Sequence, residues 1–206
     1  AKLIGAQDSE IIFTSGGTES DNAAIISAVR VKEPRKKILI SKVEHPAVLN
    51  FGKELFRRGY NLVEIPVDNH GRIDLEFIEK NVDHDTALVS VMWANNEIGN
   101  IYPVEEISRI AHAKGALFHT DAVQAVGKIP INLSEMTIDT LALSGHKLHA
   151  PKGVGVLYVR RGVRFKPYII GGHQERGRRA GTENTASIVG LGVACQLASK
   201  NIDDEN

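Results

Sequence analysis

Cysteine is almost missing: Cys195 stands alone among 206 residues. One thiol excludes an internal disulfide framework, and any multi-cysteine zinc or iron–sulfur site within this chain. It fits reducing, cytoplasmic surroundings. Net charge is missing too, because 25 Lys and Arg balance 25 Asp and Glu. Coating a nucleic-acid duplex needs a clustered excess of positive charge, so nucleic-acid binding is not expected. No apolar run approaches the ~20 residues that cross a bilayer, so no membrane role is expected. The opening Ala1-Lys2-Leu3-Ile4-Gly5 lacks the apolar stretch of a signal peptide. No internal repeat, low-complexity stretch or Pro/Ser-rich linker interrupts the chain. The remainder is ordinary globular material, 42% hydrophobic and 24% charged, which excludes wholesale disorder. At a typical ~150 residues per domain, the length suits one large domain or two small ones.

The dominant rhythm is strand, loop, helix. Apolar runs rich in β-branched residues stand at 10–14, 37–41, 61–67, 86–92, 116–120, 140–143 and 155–159. Without clean alternation, they read as strands covered on both faces. Helical patterns lie between several of them. Val104, Ile107, Ile110 and Ala111 share one face, as do Val48, Leu55 and Phe56 after Pro46. Gly59 and Gly115 stop these helices, where a left-handed residue is useful. A last helix is expected from about 186 to 199. The fold implied is a three-layer α/β/α sandwich around a mostly parallel, mixed sheet. The last two strands have no evident helix between them, so one of them is free to run antiparallel.

Open sheets of this kind bind ligands at the carboxyl ends of their strands, and the polar clusters fall there. After the first strand comes Thr14-Ser15-Gly16-Gly17-Thr18 and then a helix. Gly17 and Thr18 there suit an anion cradle. The plainer alternative is a helix capped by Ser15 or Thr18. The spacing fits neither a Walker loop nor the dinucleotide fingerprint. Asp121 ends the fifth strand, and a carboxylate in an apolar segment needs a cation or donors. It also suits a helix cap. Asn95 and Asn96 follow the fourth strand and suit a turn equally well. After the sixth strand comes Ser144-Gly145-His146-Lys147. Partial burial there would make Lys147 a nucleophilic amine; taken alone, a snorkelling surface lysine fits as well. Together, a lysine, an acid and an anion cradle are what a pyridoxal-phosphate site requires.

At these residues the chain resembles the cysteine desulfurases of the NifS/IscS type, within the class V, fold-type I pyridoxal-phosphate enzymes. The matching motifs lie at 14–22, Glu44-His45-Pro46, 95–99, 120–124, Ser144-Gly145-His146-Lys147 with Pro151-Lys152-Gly153, and 175–184. They run in the family's order and span nearly the whole chain. The resemblance implies that Lys147 carries the cofactor as a Schiff base and shuttles protons. It implies that Asp121 pairs with the ring nitrogen, that His45 stacks on the ring and acts in acid–base steps, and that Gln124 bonds the phenolic oxygen. Gly17, Thr18, Ser144 and His146 would hold the phosphate, with Asn95 beside the ring and the substrate carboxylate. Thr182 would reach across a homodimer interface to the other subunit's phosphate. The implied reaction converts L-cysteine to L-alanine and hands sulfur on as a persulfide. The implied recipient is a sulfur acceptor or iron–sulfur scaffold protein.

The resemblance further implies that residues 1–206 are the cofactor-binding large domain. A small C-terminal domain with the reactive-cysteine loop, and an N-terminal segment, are expected outside this chain. Cys195 lies in an apolar helical context and reads as packing. Two rival readings remain. His119, Asp121 and His146 would suit a metal-dependent hydrolase; the main reading expects no metal. A non-catalytic scaffold would use the basic loop Arg176, Arg178 and Arg179 for docking.

Overall fold

The computed structural model describes residues 1–202. Seven strands form one sheet: β1 (Ile11–Thr14), β2 (Lys37–Ser41), β3 (Asn61–Ile65), β4 (Thr86–Ser90), β5 (Leu117–Asp121), β6 (Thr140–Ser144) and β7 (Gly155–Val159). Their spatial order is β1-β7-β6-β5-β4-β2-β3. All neighbours run parallel except β7, which is antiparallel to both β1 and β6. The freedom expected of the last two strands is therefore used by β7. The helices are α1 (Gly17–Val31), α2 (Pro46–Arg57), α3 (Leu75–Asn81), α4 (Val104–Ala113), the single turn α5 (Gln174–Gly177) and α6 (Thr185–Asn201).

Successive residues of a strand point to opposite faces, and both faces here are buried. Ile38, Ile40 and Leu88 meet Ile25 and Val29 of α1 and Val48 and Leu55 of α2. Leu39, Val89, Phe118 and Leu141 meet Ile78 of α3, Ile107 and Ala111 of α4, and Leu191 of α6. The result is the expected three-layer α/β/α sandwich.

The expected strands differ from the observed ones at their ends, for local reasons. Glu10 is excluded from β1 because it closes a 3-10 turn, where its carboxylate accepts from the N–H groups of Gln7 at 2.8 Å and Arg161 at 2.7 Å. β3 stops at Ile65 because Pro66 has no N–H for the ladder. Gly59 and Gly115 do take left-handed φ values of 87° and 72° just past α2 and α4. Phe56 is not on the buried face of α2. It is 62% exposed, whereas Val48 and Leu55 are buried. At 100° per residue it lies about 80° round the helix from Val48. Ile110 is only half-buried on α4.

From β2 the chain steps outward to β3, and from β4 it steps the other way to β5 and β6. The direction of winding reverses between β2 and β4, and the carboxyl ends of the strands open a crevice there.

Candidate active site

A cavity of about 210 Å³ occupies that crevice. Its first wall is the head of α1, with Gly17 and Thr18. Neither Ser15 nor Thr18 caps this helix; the cap is Gly16, which has no side chain to offer. The first-turn N–H groups are thus left without a side-chain acceptor, at the positive end of a 15-residue helix. Gly17 packs closely on the next wall: a Cβ there would stand 3.0 Å from Val123 Cγ2 and 3.5 Å from Ser144 Cβ.

The second wall is the turn after β6. The N–H of Gly145 bonds to Val154 O at 2.9 Å and its own carbonyl accepts from Ala150 N at 3.0 Å. A side chain at 145 would collide with Val154 O at 2.9 Å, so glycine alone permits this tight turn. The turn sets Ser144 Oγ 2.8 Å from His146 Nδ1 and anchors itself through buried Leu148. Lys147 lines the cavity but is exposed rather than half-buried, because the turn carries it out from the strand end to the cavity mouth. It has no ion pair or hydrogen bond among the described residues, so its amine is free.

The floor is acidic. Asp121 is 5% exposed and accepts from Val123 N at 2.9 Å. Burial, with the nearby Asp21 carboxyl, pushes its pKa up to about 7, against the Val123 bond. Asp21, on the inner side of α1, is pushed up to about 8 by burial. It lies 3.2 Å from His119 Nε2, while His119 Nδ1 is 3.0 Å from Thr140 Oγ1. Burial lowers the pKa of His119 to about 4. The pair is therefore neutral at pH 7. A protonated Asp21 matches an acceptor at Nε2, with Nδ1 then facing Thr140 as the N–H. The remaining wall brings His45 and Gln124 to the cavity. His45 caps α2, accepting from Ala47 N at 3.1 Å through Nδ1, which leaves Nε2 as its free ring nitrogen. Gln124 Oε1 accepts from Lys128 Nζ at 2.6 Å, so its amide N–H is the free group.

Eight of the ten residues singled out in the sequence line this one cavity. Asn95 and Thr182 do not. Asn95 is 8% exposed and its amide is consumed internally: Oδ1 accepts from Glu97 N and Ile98 N, and Nδ2 donates to Val43 O. The neighbouring Asn96 lines the cavity instead. Thr182 is exposed and lines a separate recess with Phe13, Gly153 and Glu183. Asp21, Met92 and Val123 also line the cavity and were not singled out. Asp21 carried a faint signal, an acid one helical turn after Thr18 and just before an apolar run; Met92 and Val123 carried none.

The metal-binding arrangement comes apart. His119 is fully buried against Asp21, while His146 is exposed and bonded to Ser144. Among the described residues, no three His, Cys, Asp or Glu side chains are grouped to hold a metal. The basic loop is bonded to its own chain, with Arg176 exposed and Arg178 and Arg179 half-buried. Arg176 and Arg178 donate to the carbonyls of Ser9 and Ile11, and Arg179 clasps Glu19 through two bonds of 2.8 and 3.1 Å. Cys195 is half-buried on α6, away from the cavity, with burial pushing its thiol pKa up.

The residues fit pyridoxal phosphate. An uncapped helix start and the Ser144, His146 and Thr18 side chains suit a phosphate. A buried acid suits a protonated ring nitrogen, and a free lysine amine suits an aldehyde.

Comparison with known proteins agrees. The family model described as aminotransferase class-V matches residues 1–206. The chain is 58% identical over 206 residues to the cysteine desulfurase NifS of Azotobacter vinelandii, covering 100% of this chain and 51% of that one. A solved structure described as a NifS-like protein superposes with a TM-score of 0.94 at 46% identity, over 99% of this chain and 57% of the other. A second, SspA in complex with cysteine, gives a TM-score of 0.90 at 40% identity, over 95% and 57%. The chain thus spans about half the length of the curated relatives it matches.

Proposed function

The chain belongs to the class-V aminotransferase family, and from that premise we propose that it is the cofactor-binding part of a pyridoxal-phosphate-dependent cysteine desulfurase. The reaction is L-cysteine plus a protein thiol giving L-alanine plus a persulfide, with no other reactant. The observation that carries this reading is the meeting of Lys147, Asp121 and the uncapped head of α1 in one cavity.

Pyridoxal phosphate, when bound, supplies an electron sink for the charge left at the substrate's α-carbon. This chain's residues hold the reacting parts. The first-turn N–H groups of α1, with Thr18, Ser144 and His146, would hold the phosphate. The Asp121 carboxylate would keep a proton on the ring nitrogen; a cation beside it favours its ionised form. The free amide of Gln124 would donate to the phenolic oxygen. His45 would lie beside the ring, with Nε2 available for proton transfer. Lys147 Nζ would be the amine that holds the aldehyde and carries the proton at the substrate's α-carbon. Cys195 lies outside the cavity, so the reading gives sulfur transfer to another thiol. A homodimer, a cytoplasmic setting and a sulfur acceptor or iron–sulfur scaffold as recipient complete it. Thr182, exposed and off its own cavity, is the residue offered to a second subunit.

The test is to bind pyridoxal phosphate, reduce with borohydride and map the labelled peptide. The pyridoxyl group is expected on Lys147. A label on Lys42 or Lys152, or no visible absorption on adding the cofactor, would overturn the reading.

A further inference from the structure

Glu44 stands directly before His45, yet its side chain points the other way and is 4% exposed. Its Oε1 accepts from Ser41 Oγ at 2.9 Å and from Met92 N at 2.6 Å. Those donors lie at the ends of β2 and β4, the two strands that flank the reversal of winding. A second tie runs back between the same segments, from Asn95 Nδ2 to Val43 O at 3.1 Å. The two ties brace the loop carrying His45 against the segment carrying Met92 and Asn96, which lines the facing part of the cavity.

The charge around Glu44 is unusual for a brace. Its Oε2 has no hydrogen-bond partner, and no lysine or arginine pairs with it among the described residues. The groups facing it are themselves acidic or neutral: Asp121 from β5, Asp21 from α1, and the buried phenol of Tyr102 ahead of α4. A buried carboxylate without a cation is costly, whereas a neutral acid is much less so. We propose that Glu44 is a positioning residue, a neutral carboxylic acid that sets the His45 loop against the β4 end and leaves Asp121 as the one carboxylate facing the cofactor's ring nitrogen.

The energetics of the floor agree. Burial, and then the Asp121 charge, push the Glu44 carboxyl well above the usual range, although Ser41 and Met92 pull the other way. Burial pushes the Asp21 and Asp121 carboxyls up as well, so the whole floor resists negative charge. Glu44 thereby adds no second negative charge that would compete for the proton on the ring nitrogen.

The proposal rests on the reading that the cavity holds pyridoxal phosphate, and its test separates the two. Glu44→Gln stays neutral and keeps a carbonyl acceptor for both donors; Glu44→Leu removes the acceptor. Titrating each full chain with pyridoxal phosphate should give a Kd for the Gln variant within about threefold of the parent. Its visible absorption and their pH profile should be unchanged. The Leu variant should bind at least about tenfold more weakly, the effect of one or more lost hydrogen bonds. Independently of cofactor, the infrared difference between parent and Gln variant at pH 7 should show loss of a protonated-acid carbonyl band, with no loss of carboxylate bands. A Gln variant as impaired as the Leu variant, a Leu variant that binds like the parent, or a carboxylate band in the difference spectrum would each overturn the proposal. The Gln titration and the infrared band decide it even if the Leu variant fails to fold. A parent chain that binds no cofactor would sink the functional reading instead, while the infrared result would still report on Glu44.

Discussion

Asp121 is held at the floor with one backbone donor, Val123 N at 2.9 Å, and burial and the Asp21 carboxyl oppose its charge more than His119 and His45 favour it. A bound pyridinium would be the partner that makes ionisation favourable. Asp121→Asn keeps the shape and removes that charge. Cofactor affinity should fall by the worth of one charge-assisted hydrogen bond, ~1.5–3 kcal/mol, or about ten- to a hundredfold. In the complete enzyme, cysteine turnover should be largely lost while some cofactor still binds. Turnover at the parental rate would remove Asp121 from its role. Lys147 differs from Asp121 in every respect: exposed, unpartnered and placed by a turn that only Gly145 permits.

Among the elements, β1 presents the plainest physical problem. It lies at an edge of the sheet, where its outward carbonyls and N–H groups have no strand to pair with. The chain answers from 162 to 169 residues away. Glu175 accepts from Phe13 N at 3.1 Å, Arg176 donates to Ile11 O at 2.6 Å, and Arg178 donates to Ser9 O at 2.8 Å. Ile11 and Phe13 are alternate residues of the strand, so their free groups face one way, and Ser9 lies in the turn just before it. To reach them, Glu175 and Arg176 adopt left-handed φ values of 47° and 59°. Replacing Arg176 and Arg178 together by Ala should leave the carbonyls of an edge strand uncovered. The expected loss is about 1–3 kcal/mol of stability, read by urea unfolding of the purified chain. No change in the midpoint would show that water serves the edge as well as the arginines do.

For the whole molecule, the buried acids couple stability to pH. Asp21 and Asp121 have folded pKa values of about 8 and about 7, above the usual 3.8. The folded state therefore holds protons that the unfolded chain releases, so stability falls as pH rises towards 8. His119, lowered to about 4 from 6.5, acts in the opposite sense, but only below pH 6.5. Between pH 6.5 and 8 the acids act alone. The cofactor-free chain should lose stability there with a slope of up to about 1.4 kcal/mol per pH unit for each proton. Asp21→Asn should flatten the slope in urea unfolding at the two pH values. A stability that rises across this interval would contradict the protonated floor. At the same scale, a shared-site homodimer can be tested by complementation. Thr182→Val and Lys147→Ala variants of the complete enzyme, inactive apart, should regain activity under subunit exchange. One site of the heterodimer then has both residues native, as a two-fold requires. No recovery in verified heterodimers, with a strong defect in each parent, would exclude sharing through Thr182.

The residue order by itself carried the architecture. Apolar runs at 37–41 and 155–159 coincide with β2 and β7, and Gly59 and Gly115 mark helix ends, because burial on both faces and left-handed backbone are local demands that leave local traces. Glycines before a helix and a lysine after a strand were legible as a ligand cleft for the same reason. What the sequence could not express was which side chains meet across the sheet. Asp21 and His119 are 98 positions apart, Glu44 and Met92 are 48, and Arg176 and Ile11 are 165. Their neutral pairs, braces and edge bonds depend on which strands are neighbours and in what register. That choice also sent Asn95 inward and Asn96 to the cavity, and tied the arginines of the basic loop to Ser9, Ile11 and Glu19. Local propensity is a property of a few consecutive residues; electrostatics in a buried floor is a property of the distances that only the packed sheet creates.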